Sequence, residues 1–271
     1  MSASLVQRTL VIVLAAGLGV SAAAQTSSTA QTQGTFEPKV GQSGKDVVWV
    51  PTPQALVDKM LDMAKLTPAD FHMDLGSGDG ITVITAAKRG ATSLGIEYNP
   101  DMVALSQKRA AAAGVSDKAT FRKADIFETD FSKATVITLF LLPDLNLRLR
   151  PKLLEMKPGT RVVSNSFTMD DWKPDQTQTV EGECRSWCTA HLWIVPAKVN
   201  GTWRIGSDTL SLAQSFQMLN GTLGGVTLSE GKMDGENIAF VVGGVTYSGK
   251  VNGNTMEGTR SGGGAWRATR Q

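Results

Sequence analysis

The stretch Met73-Asp74-Leu75-Gly76-Ser77-Gly78-Asp79-Gly80 decides the fold. An apolar run, Phe71 to Leu75, passes straight into three alternate glycines, and a helical pattern, Ile81 to Lys88, begins directly after them. Glycine tolerates the backbone angles of so tight a turn, and its missing Cβ lets a ligand approach the chain, so strand, Gly-rich turn and helix together predict a nucleotide-binding α/β unit. Gly-x-Gly-x-Gly alone is a weak signal, and the assignment rests on what surrounds it.

Working outward, Ser93 to Tyr98, Thr120 to Ala124, Thr135 to Leu142 and Arg161 to Phe167 read as further buried strands. Helical patterns separate them over Met102 to Ala113 and from about Asp144 to Met156. An earlier helix opens at Thr52 or Pro53, with Leu56, Met60 and Met63 or Ala64 at helical spacing. Such alternation predicts a parallel sheet with crossover helices over residues 47–180.

From 181 to 271 the texture changes. Fifteen of the 28 glycines fall between Gly201 and Gly264. Turn dipeptides recur at Asn200-Gly201, Asn220-Gly221, Asp234-Gly235, Gly243-Gly244 and Asn252-Gly253. The runs Leu192 to Val195, Thr222 to Leu228, Asn237 to Val242, Val245 to Lys250, Thr255 to Arg260 and Ala265 to Thr269 between them predict an antiparallel meander. Leu192 to Pro196 is also a candidate for one of the first sheet's last strands.

Three acids sharpen the ligand. Glu97 lies 21 residues after Gly76 at the end of the second strand, where a carboxylate can accept both hydroxyls of a ribose. Asp125 follows the third strand, placed to accept from an adenine amino group while Ile126 packs on the ring. Asp74 would face the cationic end of the ligand. A dinucleotide site keeps acids away from the helix N-terminus so that a pyrophosphate can sit there. Here Asp79 is inside the loop and the third glycine comes one residue early, which favours S-adenosyl-L-methionine. Gly44-Lys45 is no phosphate loop, because Asp46 follows it and Lys39 stands where the first glycine should be.

Together Asp74 to Gly80, Glu97 and Asp125-Ile126 resemble class I (seven-strand) S-adenosylmethionine-dependent methyltransferases. Trp49-Val50-Pro51-Thr52-Pro53, Gly95-Ile96-Glu97 and Asp125-Ile126-Phe127 are similar, more narrowly, to the lysine N-methyltransferases of the ATP synthase c subunit and the adenine nucleotide translocase, and to their bacterial relatives. The likeness covers roughly residues 47–172. The expected fold is therefore α/β, a Rossmann-like class I methyltransferase sheet with a C-terminal antiparallel β-rich module. By resemblance, Asp74, Gly76, Ser77, Gly78 and Gly80 would line the methionine part, Glu97 the ribose, and Asp125 and Ile126 the adenine. Trp49, Pro51 and Thr52 would lie near the transferring methyl, although Trp49 and Pro51 could equally staple the chain to the first helix. Phe140 and Pro143, near the end of the fourth strand, are candidates for an acceptor channel. Enzymes that methylate planar nitrogens carry Asn/Asp-Pro-Pro-aromatic there; Phe140-Leu141-Leu142-Pro143-Asp144 lacks it, which argues against an adenine or glutamine acceptor. The methyl is already activated, so no residue is assigned as a base.

The expected activity is N-methylation of a protein lysine. A small-molecule or lipid acceptor, or a non-catalytic exported binding protein on the same fold, stay open as alternatives. Twenty-seven basic against 25 acidic residues leave +2, too little to argue for a nucleic-acid partner. With two histidines a multi-His metal centre is excluded, and Cys184, Cys188 and His191 match no common zinc site, so no metal is expected. In an exported protein Cys184 and Cys188 would most simply form a disulfide, with a turn between them. His72 reads as a packed core residue; Trp187, Trp193, Trp203 and Trp266 read as anchors of a small β-core, with carbohydrate stacking as the alternative.

Export itself is read from residues 1–24. Arg8 precedes an apolar run, Leu10 to Val20, and small residues at Ala22 and Ala24, the order of a secretory signal peptide cleaved after about Ala24. The destination would be periplasmic or secreted, with no transmembrane span after cleavage; the same segment left uncleaved would be an anchor. Residues 25–46, rich in Gln, Thr, Ser and Gly, read as a solvated flexible linker.

Overall fold

The structure is a computed structural model that describes residues 1–2, 36–182 and 184–271. From residue 3 on, the expected leader lies outside the described residues, as does the linker up to residue 35.

Residues Phe36–Gln271 form one compact unit. Its first part runs α1 (Gln54–Met63), β1 (Phe71–Leu75), α2 (Ile81–Lys88), β2 (Thr92–Glu97), α3 (Pro100–Ala112), β3 (Ala119–Lys123), β4 (Val136–Leu139), α4 (Pro143–Leu153), β5 (Arg161–Asn165), β6 (Gln176–Thr179) and β7 (Thr189–Ile194). The strands make one sheet in the order β3-β2-β1-β4-β5-β7-β6, parallel from β3 to β5, with β7 antiparallel to both neighbours. All six residues of α2 from Thr82 to Ala87 are buried, and β4 is buried at every position, as the continuous apolar runs require of elements covered on both sides. Asn99 caps α3, its Oδ1 accepting from the Asp101 N–H at 2.9 Å, with Pro100 in the first turn.

From β1 the sheet extends in one direction through β2 and β3 and in the other through β4 to β7. Order reverses between β1 and β4, so their C-terminal ends diverge and open a crevice, the place where open α/β sheets bind ligands.

The remaining strands are β8 (Gly201–Ile205), β9 (Asp208–Ser215), β10 (Met218–Leu223), β11 (Val226–Asp234), β12 (Asn237–Val242), β13 (Val245–Asn252), β14 (Thr255–Arg260) and β15 (Ala265–Arg270). The expected meander closes on itself, β15 pairing with β8, and gives an eight-stranded barrel without an open edge. Alternate residues point inward, and Trp203, Leu210, Phe240, Met256 and Trp266 fill the interior. Phe240 stacks on Tyr247 with centroids 4.9 Å apart, and Trp266 meets both rings edge-on.

Several expectations need correction. The boundary at 180/181 cuts through the sheet, because β7 belongs to it; the barrel begins at Gly201. Thr222 to Leu228 is not one strand: Gly224 and Gly225, at φ +58° and +84°, turn the chain between β10 and β11. Asn220-Gly221 is not a turn but lies inside β10, where a Cβ at Gly221 would stand 1.9 Å from the Ser211 carbonyl oxygen. Asn200-Gly201 leads into β8.

The barrel sits on the sheet through specific contacts. Phe216 stacks on the buried Trp172, centroids 6.0 Å apart. Gln217 Nε2 donates to the Lys173 carbonyl at 2.8 Å, Lys232 pairs with Asp175 at 3.1 Å, and the Ala197 N–H donates to Gly235 O at 2.8 Å.

Candidate functional site

A cavity of about 530 Å³ occupies the crevice, within the range usual for small-molecule sites. Its floor is the turn after β1. Gly76 and Ser77 donate their N–H groups to Ile96 O at 2.8 and 3.0 Å, which ties the turn to β2. Gly76, Gly78 and Gly80 all have φ between +51° and +85°, the left-handed region that favours glycine. A Cβ on Gly78 would stand 2.8 Å from Trp49 Nε1, because the Trp49 indole lies over the loop.

Glu97 ends β2 at the cavity rim. One carboxylate oxygen accepts from the Gly78 N–H at 3.0 Å and the other from the Asn99 N–H at 2.8 Å. Two backbone donors fix its orientation, while each oxygen keeps an acceptor position toward the cavity.

Asp74, one step deeper, is buried on the cavity wall. Burial first, then the neighbouring Glu97 and Asp79 charges, push its carboxyl up to about 7, against the pull of a 2.6 Å bond donated by Thr138. Since the Thr138 hydroxyl gives its one proton to Asp74, it must accept from His72 Nε2, 2.8 Å away, and Ser93 must then donate to His72 Nδ1 at 2.6 Å. Burial pushes His72 down to about 3, which matches this neutral form. His72 is thus a core residue that orients the hydroxyl beneath Asp74.

Asp79 behaves differently from its reading in sequence. Arg109 of α3 pairs with its carboxylate, which offsets part of its charge and makes it a weaker argument against pyrophosphate than its place in the loop suggests. Discrimination falls instead to Asp74 and Glu97.

Asp125 lies beyond β3 with Ile126, both on the cavity wall. Its Oδ1 accepts from the Phe127 N–H at 2.9 Å and its Oδ2 from Lys45 Nζ, the Lys45 bond holding the carboxyl below the usual range. Lys45 also lies 4.9 Å from the Tyr98 ring centre. The segment carrying it, expected to be linker, is a small hairpin: Gly41 N–H donates to Trp49 O and Trp49 N–H to Gln42 O, both at 2.9 Å. Residues 42–52 form one wall of the cavity. Backbone pairing, one ion pair and the isolated apolar contacts of Val47 and Trp49 hold this hairpin, so hydrophobic periodicity could not reveal it.

Trp49, Pro51, Thr52 and Phe140 line the cavity as expected, but Pro143 and Gly80 do not. Pro143 opens α4. Gly80 is a packing glycine: a Cβ there would stand 2.8 Å from Ser106 Oγ and 2.9 Å from the Phe121 ring. The sequence reading missed Phe167 and Trp187, which share the wall with Phe140. Trp193, Trp203 and Trp266 are buried, whereas Trp187 is 45% exposed and is no core anchor. Cys184 and Cys188 are joined by a disulfide, Cα–Cα 5.7 Å, that closes the loop around Trp187. His191 bonds to Thr177 Oγ1 at 2.9 Å.

The wall suits S-adenosyl-L-methionine. Its side-chain acceptors are carboxylates, with Asp74, Glu97 and Asp125 placed to meet ammonium, hydroxyls and amino group. When bound, this cofactor supplies a sulfonium-activated methyl group that would pass in line to an acceptor lone pair, with S-adenosyl-L-homocysteine as the leaving group. Asp74, Gly76, Ser77 and Gly78 would hold its amino-acid end, Glu97 its ribose, and Asp125 with Ile126 its base. Phe140 and Leu141 put apolar surface on the cavity wall, where an amine would lose hydration and be favoured in its neutral form.

Comparison with known proteins agrees. A family model described as the ANTKMT methyltransferase domain matches residues 74–176. A protein-lysine N-methyltransferase of Saccharolobus islandicus is 43% identical over 138 residues, 50% of this chain and 86% of that protein. The mouse lysine N-methyltransferase of the ATP synthase c subunit is 40% identical over 116 residues, 42% of this chain and 47% of that protein, so this chain spans about half the length of the mouse relative. Among solved structures, an RNA methyltransferase from Salinibacter ruber in complex with S-adenosyl-L-homocysteine is 47% identical, covers 55% of this chain and 96% of its own, and superposes with a TM-score of 0.52.

Proposed function

This chain belongs to the ANTKMT methyltransferase domain family, and from that premise we propose that it methylates the ε-amino group of a protein lysine with S-adenosyl-L-methionine. The observation that carries the reading is the pinned Glu97 carboxylate beside the glycine turn, with Asp125 on the same cavity and an apolar, aromatic wall around Phe140. The acids account for an adenosyl ligand with a cationic end, and the apolar wall accounts for an alkyl amine that must shed water before it attacks. The modest net charge supports a protein over a nucleic-acid acceptor, and the missing Asn/Asp-Pro-Pro-aromatic run argues against an adenine or glutamine acceptor.

The test is transfer of labelled methyl from S-adenosyl-L-methionine to lysine-bearing protein substrates, followed by complete hydrolysis. Label recovered as Nε-methyllysine supports the reading. Label found only in lipid or small molecules would transfer the acceptor to the alternatives named above, and no transfer alongside intact cofactor binding would favour a binding protein.

We also propose that the chain is exported by its first 24 residues and works outside the cytosol. Support comes from the order Arg8, apolar run, Ala22 and Ala24. N-terminal sequencing of the mature protein checks it, with Gln25 the expected first residue and an intact Met1 the contrary result.

A further inference from the structure

The cavity is chemically divided. Its acidic end lies over β1, β2 and β3, where Asp74, Glu97 and Asp125 stand. Its other end lies past the C-terminal ends of β4 and β5 and ahead of β7, where Phe140, Phe167 and Trp187 come together. Phe140 stacks on Phe167 with centroids 6.2 Å apart, and Trp187 lies 5.2 Å from Phe167 and 6.2 Å from Phe140. Three rings from three separate segments converge on one wall.

Backbone conformation at this wall is unusual. Trp187 has φ +58° and Ser166, just before Phe167, has φ +60°, angles that non-glycine residues seldom adopt and that gather at functional sites. Trp187 is held in that state inside the five-residue loop closed by Cys184 and Cys188. A large aromatic left 45% exposed there does not serve a core. The family match ends at residue 176, so Trp187 and its disulfide lie beyond the matched domain.

We propose that Trp187, with Phe140 and Phe167, forms the methyl-acceptor subsite, packing the lysine's alkyl stem along its rings and holding the methylated ammonium product on their faces, and that the Cys184–Cys188 disulfide is the positioning element that presents Trp187 to it. This rests on the lysine reading above. Ring faces attract ammonium and methylammonium heads, while the aliphatic stem buries against the ring edges.

The experiment uses the full chain, purified without reductant and saturated with S-adenosyl-L-homocysteine, and measures binding of Nα-acetyl-Nε-trimethyllysine methylamide by calorimetry. Trp187→Ala should weaken the probe about tenfold, Trp187→Phe should recover most of the loss, and the paired Cys184→Ser and Cys188→Ser variant should weaken it in the same direction. The affinity for S-adenosyl-L-homocysteine should stay within about twofold throughout, which also reports that each variant is folded. Probe affinity unchanged in Trp187→Ala, or no probe binding by protein that binds S-adenosyl-L-homocysteine, overturns the subsite alone. Failure of the wild type to bind S-adenosyl-L-homocysteine overturns the methyltransferase reading, and the subsite with it.

Discussion

The Thr138 hydroxyl donates to the Asp74 carboxylate at 2.6 Å across directly paired positions of β4 and β1. Register alone puts them together, since residues opposite each other on neighbouring strands share a face. The result is an acid on the cavity wall that is buried, near neutral pH in its titration, and steadied by a His72–Thr138 chain behind it.

Asp74 should make cofactor binding pH-dependent. Its folded value, about 7, lies above the ordinary 3.8, so between these the folded protein holds a proton the unfolded chain has lost, and this group's contribution to stability falls as pH rises through that window. A bound ammonium favours the ionised form. Binding of S-adenosyl-L-methionine should therefore tighten as pH rises toward about 7 and release about one proton near pH 6, where the ligand's own amino group is already charged. Calorimetry in buffers of different ionisation enthalpy measures the release, which Asp74→Asn should remove; an unchanged release in that variant contradicts the assignment.

Gly78→Ala should damage binding through Trp49. The new Cβ would stand 2.8 Å from the indole nitrogen at a backbone φ of +51°, so the Trp49 segment must move. Gly114, at φ +68° with nothing within 4 Å, supplies the control, because alanine there meets only the backbone cost of about 1 kcal/mol. Gly78→Ala should lose at least about tenfold in cofactor affinity and Gly114→Ala less than about twofold. Equal losses in both would show that Trp49 does not shape the site.

Phe216→Ala should loosen the barrel from the sheet. Phe216 stacks on Trp172 and lies under the Arg150 guanidinium, 5.4 Å from it. Losing a half-buried ring of this kind costs about 2 kcal/mol, or about 4–8 °C in thermal midpoint for a domain this large. A midpoint unchanged by the substitution, read by circular dichroism, would mean the contact contributes nothing.

The sheet and the acidic end of the site were legible because their signals are local. Phe71–Leu75 and Ile81–Lys88 fall where the apolar run and the helical pattern place them, Glu97 ends β2, and Asp125 lies just past β3. What escaped has other causes. The edge strand β6, Gln176–Thr179, is polar and exposed along most of its length, so no alternation marks it. Asn220-Gly221 looks like a turn but answers to a neighbour ten residues away, Ser211, whose carbonyl leaves no room for a side chain. Lys45 and Trp187 reach the cavity from segments with no periodicity, through an ion pair and a disulfide that only tertiary structure brings together.

The measurement closest to the central claim is calorimetry of the full chain with S-adenosyl-L-methionine and, separately, NAD, with Glu97→Ala beside the wild type. Glu97 joins the glycine turn to the rim by its bonds to Gly78 and Asn99, so both ligand contact and loop position depend on it. The predicted result is micromolar binding of S-adenosyl-L-methionine, none of NAD, and a loss of at least about tenfold in the variant. Tighter binding of NAD, or a Glu97→Ala variant that binds S-adenosyl-L-methionine as well as the wild type, would contradict it.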